Sequence, residues 1–254
     1  MNENQLLTFA GSCRTRTQRE INDTCIWCSV AISSLGKSLN DPDFLSQQTF
    51  SVPAKRANKT VPRETAAVEQ IIRNAMGVRV YHSVFVYLVA QVEACLNDLL
   101  REVLRFDPRR LKCRVKGINH TQKIDVDFVI EAASIEDAVA EIIDMELASV
   151  FYAGPKAQLT YLEKVLGVSL DDQLKLSWRE IKATRDILVH NSGIVNSVYL
   201  AKTETAARGT MGENLIVDKL YFEQSAVIMK TLIGRIVSLF QARLRRKNLE
   251  AVSL

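Results

Sequence analysis

Arg185, Asp186, His190 and Asn191, within the stretch WREIKATRDILVHNSG at 178–193, are the residues of this chain whose types and spacing suit chemistry best. A histidine titrates near neutrality, so it can take up or give up a proton at physiological pH. An arginine offers a planar fork of donors that matches phosphate oxygens and relieves charge building on them. Five residues apart, the two side chains would stand about 140° apart around a continuing helix, so they meet only if the helix ends at the histidine. Asn191, Ser192 and Gly193 supply that end, because Asn and Gly adopt the left-handed conformation that folds a chain back. Proton transfer beside a held phosphate is the chemistry such a pair supports. The competing reading is structural: a buried Arg satisfying helix-end carbonyls beside a capping His.

The elements that must position these residues are helical. Leu174, Trp178, Ile181, Arg185 and Leu188 follow at steps of four, three, four and three and share one stripe, which places Arg185 where a hydrophobe belongs. Burying a guanidinium without a partner costs several kcal/mol, so the position implies a lined cleft or an anionic partner. Upstream, Val84, Leu88, Val92, Cys95, Leu99 and Val103 form one stripe, and Phe85, Val89, Leu96, Leu100 and Leu104 a second. A helix apolar on two sides needs covering on two sides. It is expected at the centre of a bundle, with its second face a candidate dimer surface and Glu93 either a lining residue beside Arg185 or an ordinary exposed glutamate. Near the C-terminus Phe222, Ala226, Met229, Ile233, Ile236 and Phe240 make a narrow packing stripe that ends in Arg243, Arg245, Arg246 and Lys247. That cluster could hold RNA phosphates; cations at a helix C-terminus are the alternative.

Around these elements the 254 residues divide into an N-terminal helical extension and linker over 1–75 and a helical domain over 76–250. A content of 47% hydrophobic and 24% charged residues, with ten Gly and five Pro, gives an all-α fold with long central helices and irregular loops. The extension is expected to carry a helix over about 18–36 that stops at Gly36. After it comes an exposed linker bearing Pro42, Pro53 and Pro62 and the cations Lys55, Arg56, Lys59 and Arg63. Residues 106–130 and the stretch after Gly193 read as loops, the latter with a short extended piece at LIVD. Ser134 starts a helix that runs to about Phe151, and another over 156–166 ends at Gly167. Five Cys, odd in number and irregularly spaced, fit a reducing cytosol, and Cys25 and Cys28 lack a second pair that would complete a zinc site. No cofactor or metal is called for. No uninterrupted apolar run reaches the ~18 residues of a membrane span, so a soluble, cytoplasmic protein is expected. A net charge of +4 permits nucleic-acid binding without arguing for it alone.

The motif from Arg185 to His190 resembles the signature of the HEPN superfamily: Arg, a polar residue, a few more positions, then His at a helix end. The similarity continues over VEACLNDLL at 92–100, FVIEAASIEDAVAEIIDMELASVFY at 128–152 and SWREIKATRDILVHNSGIVNSVY at 177–199, and covers about 78–248. Arg114 and His120 also fit the spacing, but they lie in a segment without a helical stripe. The resemblance implies a HEPN-like helical bundle and a metal-independent ribonuclease. In that chemistry the 2′-OH of RNA attacks the adjacent phosphate, His190 and Arg185 act as proton-transfer and phosphate-holding groups, and Asp186 and Asn191 orient them. It also implies a homodimer with both motifs facing one cleft, and a role as a toxin or phage-defence effector with an antitoxin or defence-system partner. A catalytically silent helical module that binds a protein or nucleic acid is the alternative.

Overall fold

The computed structural model describes residues 2–47, 50–55, 60–121 and 126–252. The fold is all-α. Its axis is α4 (Val80–Phe106), which continues without a break from α3 (Thr65–Asn74) through a π-helical turn at Ala75–Arg79. Both apolar stripes of α4 are buried: Val84, Leu88, Val92, Cys95, Leu99 and Val103 on one side, Phe85, Val89, Leu96, Leu100 and Leu104 on the other. Fully burying each Leu, Val or Phe contributes about 1.5–3 kcal/mol, which is why this helix gathers the others around it. The covering helices are α1 (Glu3–Leu39), α6 (Ile135–Tyr152), α7 (Pro155–Leu166), α8 (Asp172–His190) and α10 (Lys219–Val252). Both faces of α4 are therefore used within one chain, and the expectation that one of them forms a dimer surface is corrected.

The N-terminal helix also departs from expectation. It runs from Glu3 to Leu39, because Asn2 and Gln5 form a reciprocal capping box at its start and Gly36 is carried inside it against Met76. Its buried residues, Leu6, Ala10, Cys13, Ile21 and Cys28, belong to the same core as α4 and α10, so this helix is a wall of the bundle. Between α1 and α3 lie a short helix α2 (Pro42–Gln47) and a hairpin of β1 (Ser51–Pro53) with β2 (Thr60–Pro62), all six strand residues exposed. Lys55 and Arg63 are exposed beside it; Arg56 and Lys59 lie outside the described residues.

Caps set the remaining boundaries. Ser134 accepts the amide of Asp137 at the start of α6, and Gly167, in the left-handed region at φ 62°, ends α7 as the sequence indicates. The 106–130 segment holds a 3-10 turn at Pro108–Lys112 and a short helix α5 (Val126–Glu131). After the motif, α9 (Ser197–Thr203) forms where a loop was expected, because Asn196 caps it by accepting the amide of Tyr199. Extended pairing there is confined to one bridge between Ile194 and Asn214. Two helical stretches, Thr65–Phe106 and Lys219–Arg246, are long and apolar enough to cross a membrane, and about half of each apolar window is buried inside the protein (50% and 44%).

His82 ties the return loop to the axis, since its Nε2 accepts the amide of Val217 at 3.0 Å. Burial, helped by Arg79, lowers its pKa from the ordinary value, so the folded state prefers the neutral ring. The unfolded chain therefore binds the proton more readily. Stability from this contact is complete above about pH 6.5 and is lost as pH falls toward the lowered folded value. Urea melts of the wild type and His82→Gln between pH 7.5 and 5 should converge as pH drops. A constant gap would show that the contact does not titrate.

Candidate functional site

Helix α8 begins at Asp171, whose carboxylate accepts the amide of Leu174 at 3.1 Å. It ends where Asn191 and Gly193 both donate their amides to the carbonyl of Ile187 at 2.9 Å, with Ser192 at φ 51° and Gly193 at φ 79°. A Cβ on Gly193 would sit 2.8 Å from Asn214 Oδ1 and 3.2 Å from the carbonyl oxygen of Leu215, so only glycine lets the turn close against the return loop. The expected helix end is present. It leaves His190 as the last helical residue, exposed to solvent.

Through its middle, α8 is closed in on all sides: Trp178, Arg179, Glu180, Ile181, Lys182, Ala183 and Thr184 are consecutively buried. Arg179, Glu180, Lys182 and Thr184 are each answered by a partner, whereas the buried indole N–H of Trp178 has none among the described residues. Glu180 accepts from Thr184, Tyr199 and Arg208 through one oxygen at 2.6, 3.0 and 3.0 Å, and from the hydroxyl of Tyr221 through the other at 2.7 Å. The Arg208 guanidinium also stacks 3.3 Å above the Tyr221 ring. Burial and the Glu180 carboxylate hold the Tyr221 hydroxyl far above its usual pKa, so it stays a donor. This knot fastens α8 to α9, to the loop before α10 and to the first turn of α10 itself. Arg179 is spent in the same way, on the carbonyl of Lys202 and the carboxylate of Glu204.

The second set of charges faces a cleft. Glu93 on α4 bridges two cations of α8: Lys182 Nζ lies 2.6 Å from Oε1, and Arg185 bonds Oε2. Lys182 also donates to Gln158 at 2.8 Å. Burial lowers the Lys182 pKa and Glu93 opposes that shift, so the carboxylate is what keeps this ammonium charged. Arg185 continues to Asp186 at 3.0 Å, and Asp186 to Lys202 of α9 at 2.8 Å. The result is an alternating chain, Lys182–Glu93–Arg185–Asp186–Lys202, that ends in an open cleft of about 480 Å³. Lys182, Arg185, Asp186, His190, Asn191 and Lys202 all line it.

The structure thus brings Arg185, Asp186, His190 and Asn191 to one cleft, while Glu93 lies behind Arg185 and lines a neighbouring hollow that Arg185 shares. The orienting roles expected of Asp186 and Asn191 are redistributed. Asp186 holds Arg185 and Lys202, and Asn191 Nδ2 donates to the carbonyl of Ile194 at 2.6 Å, so neither touches the imidazole. His190 has no hydrogen-bond partner among the described residues. An unpartnered, solvent-facing imidazole is free to exchange protons with whatever enters. Lys182 and Lys202 went unnoticed in the sequence, although Lys182, Asp186 and His190 recur at steps of four and so share a helix face.

The other expected groups are occupied elsewhere. Arg243 donates to the carbonyl of Leu166 at 3.1 Å and lies across Gly167, where a Cβ would collide with its guanidinium. It serves the end of α7, while Arg245 and Arg246 are exposed, the Lys247 side chain lies outside the described residues, and none of Arg243, Arg245 and Arg246 lines the cleft. His120 of the second Arg–His pair is buried. The Val115 amide donates to its Nε2 at 2.8 Å, which puts the proton on Nδ1, facing Glu146 at 2.6 Å. Arg114 bonds backbone carbonyls of Leu111 and Cys113. Among the described residues no three His, Cys, Asp or Glu side chains converge as a metal site would need. No family model matches the chain, and no curated protein or solved structure matches it either.

Removing one member of a buried ion pair strands the other, at a scale of about 3–5 kcal/mol. Glu93→Ala should therefore lower the free energy of unfolding by about that amount, and Lys182→Met in the same chain should recover most of it. Chemical denaturation of the two variants checks this; a loss under about 1 kcal/mol for Glu93→Ala would mean that Lys182 and Arg185 do not depend on it.

Proposed function

We propose that this chain is a metal-independent endoribonuclease of the HEPN type that cleaves single-stranded RNA, acting in the cytosol as a toxin or phage-defence effector. The observation that carries the reading is that Arg185, held from behind by Glu93, and an unpartnered His190 line the same open cleft. In the reaction, the 2′-oxygen of the substrate bonds to the adjacent phosphorus as its proton passes to a base. The bond from phosphorus to the 5′-oxygen breaks, and that oxygen receives a proton as it leaves. The products are a 2′,3′-cyclic phosphate and a free 5′-hydroxyl. Arg185 and Lys202 face the phosphate oxygens, and their contacts strengthen as charge gathers there. His190 serves one proton transfer at a time.

The second transfer needs another group, and a second copy supports it. Around the motif, Tyr152 is 96% exposed, Val198 56% and Val189 51%, and both Tyr152 and Val198 stand at the cleft beside His190. Large apolar side chains left open at a polar cleft mark an association surface. An isologous contact on this rim brings two His190 side chains to one opening, and thus replaces α4 as the dimer face. An antitoxin or other defence partner would meet the same rim.

One observation favours a second reading. Arg185 is already paired with Glu93 and Asp186, as a purely structural arginine would be, so a silent module that binds a partner through this cleft uses the same geometry.

Purified protein should cleave single-stranded RNA in excess EDTA to products ending in a cyclic phosphate. His190→Ala and Arg185→Lys should each reduce the rate by a factor on the order of 10² or more while His120→Ala retains it per folded molecule. Rate per chain should fall on dilution together with the dimer fraction seen by light scattering. An inert wild type, or a His190→Ala variant with full activity, rejects the ribonuclease and leaves the binding module.

A further inference from the structure

A second groove, of about 530 Å³, adjoins the motif cleft and shares Lys202 and Gly154 with it. Lys116, Lys156, Lys164, Arg179 and Lys202 line it, with Glu204 as the carboxylate among them. Glu204 is held down to a pKa of about 2 by Arg179 and Lys156, so it stays ionised and neutralises only part of this charge. Lys116 makes no ion pair among the described residues, and Lys164 donates to the backbone carbonyl of Arg114 at 3.1 Å, so neither is matched by a carboxylate. Arg179 and Lys156 share Glu204 and Lys202 pairs with Asp186, which leaves Lys116 and Lys164 as the two lining cations whose charge no carboxylate answers among the described residues.

The groove is also built. The loop bearing Lys116 and Gly117 is pinned at Val115 by His120, and His120 is anchored in turn on Glu146. Arg179 fixes the opposite wall by holding the carbonyl of Lys202 at 2.8 Å. Among the described residues no aromatic side chain lines the groove, so it offers no stacking platform and reads charge rather than base. The continuity through Lys202 selects the occupant, because a strand whose cleaved phosphate sits at Arg185 must carry its neighbouring phosphates out of that cleft.

We infer that this groove is a phosphate-tracking subsite for the RNA flanking the cleaved bond, with Lys116 and Lys164 as its contacts farthest from the motif. The inference rests on the ribonuclease reading for the identity of the strand. It makes the substrate longer than the motif cleft alone would need, and it makes affinity tolerant of sequence and steep in salt. For single strands the slope of log affinity against log salt is about 0.7 per phosphate neutralised.

The test is fluorescence anisotropy in EDTA with a labelled oligouridylate 12-mer and trimer over a salt series, using the non-cleaving His190→Ala protein with and without Lys116→Ala and Lys164→Ala. The double change should weaken the 12-mer at least tenfold and reduce its slope by about 1.4, and leave the trimer within about twofold. Both lysines are exposed, and Lys116→Glu alone serves as a second variant that leaves the Lys164 contact intact. Unchanged 12-mer affinity and slope would overturn the subsite, as would equal losses for both lengths. Lysine-dependent binding of polyglutamate without an effect on RNA would also overturn it, in favour of an acidic protein. Because the readout is binding, a wild type that cleaves nothing while the lysine effect on the 12-mer persists rejects the ribonuclease and supports the groove.

Discussion

Glu93 carries two cations at once, and the arrangement of α8 depends on that. A Lys and an Arg one turn apart on the same helix would repel each other and would both lose hydration where α8 meets α4. One carboxylate from the central helix answers both, and Asp186 and Lys202 extend the alternation outward until it meets solvent at the cleft. Depth and function are thereby linked. The inner end of the chain, at Lys182 and Gln158, fixes how α8 seats on α4 and α7, while the outer end presents Arg185 and Lys202 where a phosphate can compete with Asp186 for them.

The Glu180 knot does the complementary work. Because Tyr199, Arg208 and Tyr221 all converge on one carboxylate of α8, the helix after the motif and the loop that follows are held against the helix that bears it. The residues that line the cleft from α8 and α9 are therefore tied to one another, and Asn191 and Gly193 close the turn between the two helices. His190, just before that turn, is the one member of the motif whose side chain has no hydrogen-bond or ion-pair partner among the described residues. Preorganised cations beside a free imidazole are what acid–base chemistry on a held phosphate needs.

Much of this was legible in the sequence where apolar spacing or a cap residue speaks plainly. The two stripes of α4, the narrow stripe of α10, the start at Ser134 and the stops at Gly167 and Gly193 all stand as read. What escaped did so for physical reasons. The buried face of α1 is Leu6, Ala10, Cys13, Thr17, Ile21, Thr24 and Cys28, regular in spacing but, apart from Leu6 and Ile21, small or polar in type, so hydrophobic periodicity hardly registers and the helix looked like a late, short one. Burial of α4 on both sides is clear from its pattern, but whether a second side is covered by the same chain or by another copy depends on α1, which the pattern hid. In α8 the stripe located Trp178 and Ile181, yet Arg179, Glu180 and Lys182 are buried too, because partners far apart in sequence satisfy them, and Thr184 is buried with its hydroxyl on Glu180 one turn back. Spacing cannot reveal such partners. Arg243 shows the converse: a cation that composition groups with its neighbours is committed to a carbonyl on another helix.

The central claim is that His190, alone among the three histidines, meets a phosphate held at Arg185. Imidazole resonances followed by heteronuclear NMR while the protein is titrated with a 2′-O-methyl oligonucleotide, which binds but has no free 2′-OH to react, address it directly. Saturation should move the His190 signals. His82 and His120, both already hydrogen-bonded inside the protein, should stay in place. A ligand that saturates the protein and leaves His190 unmoved would contradict the claim.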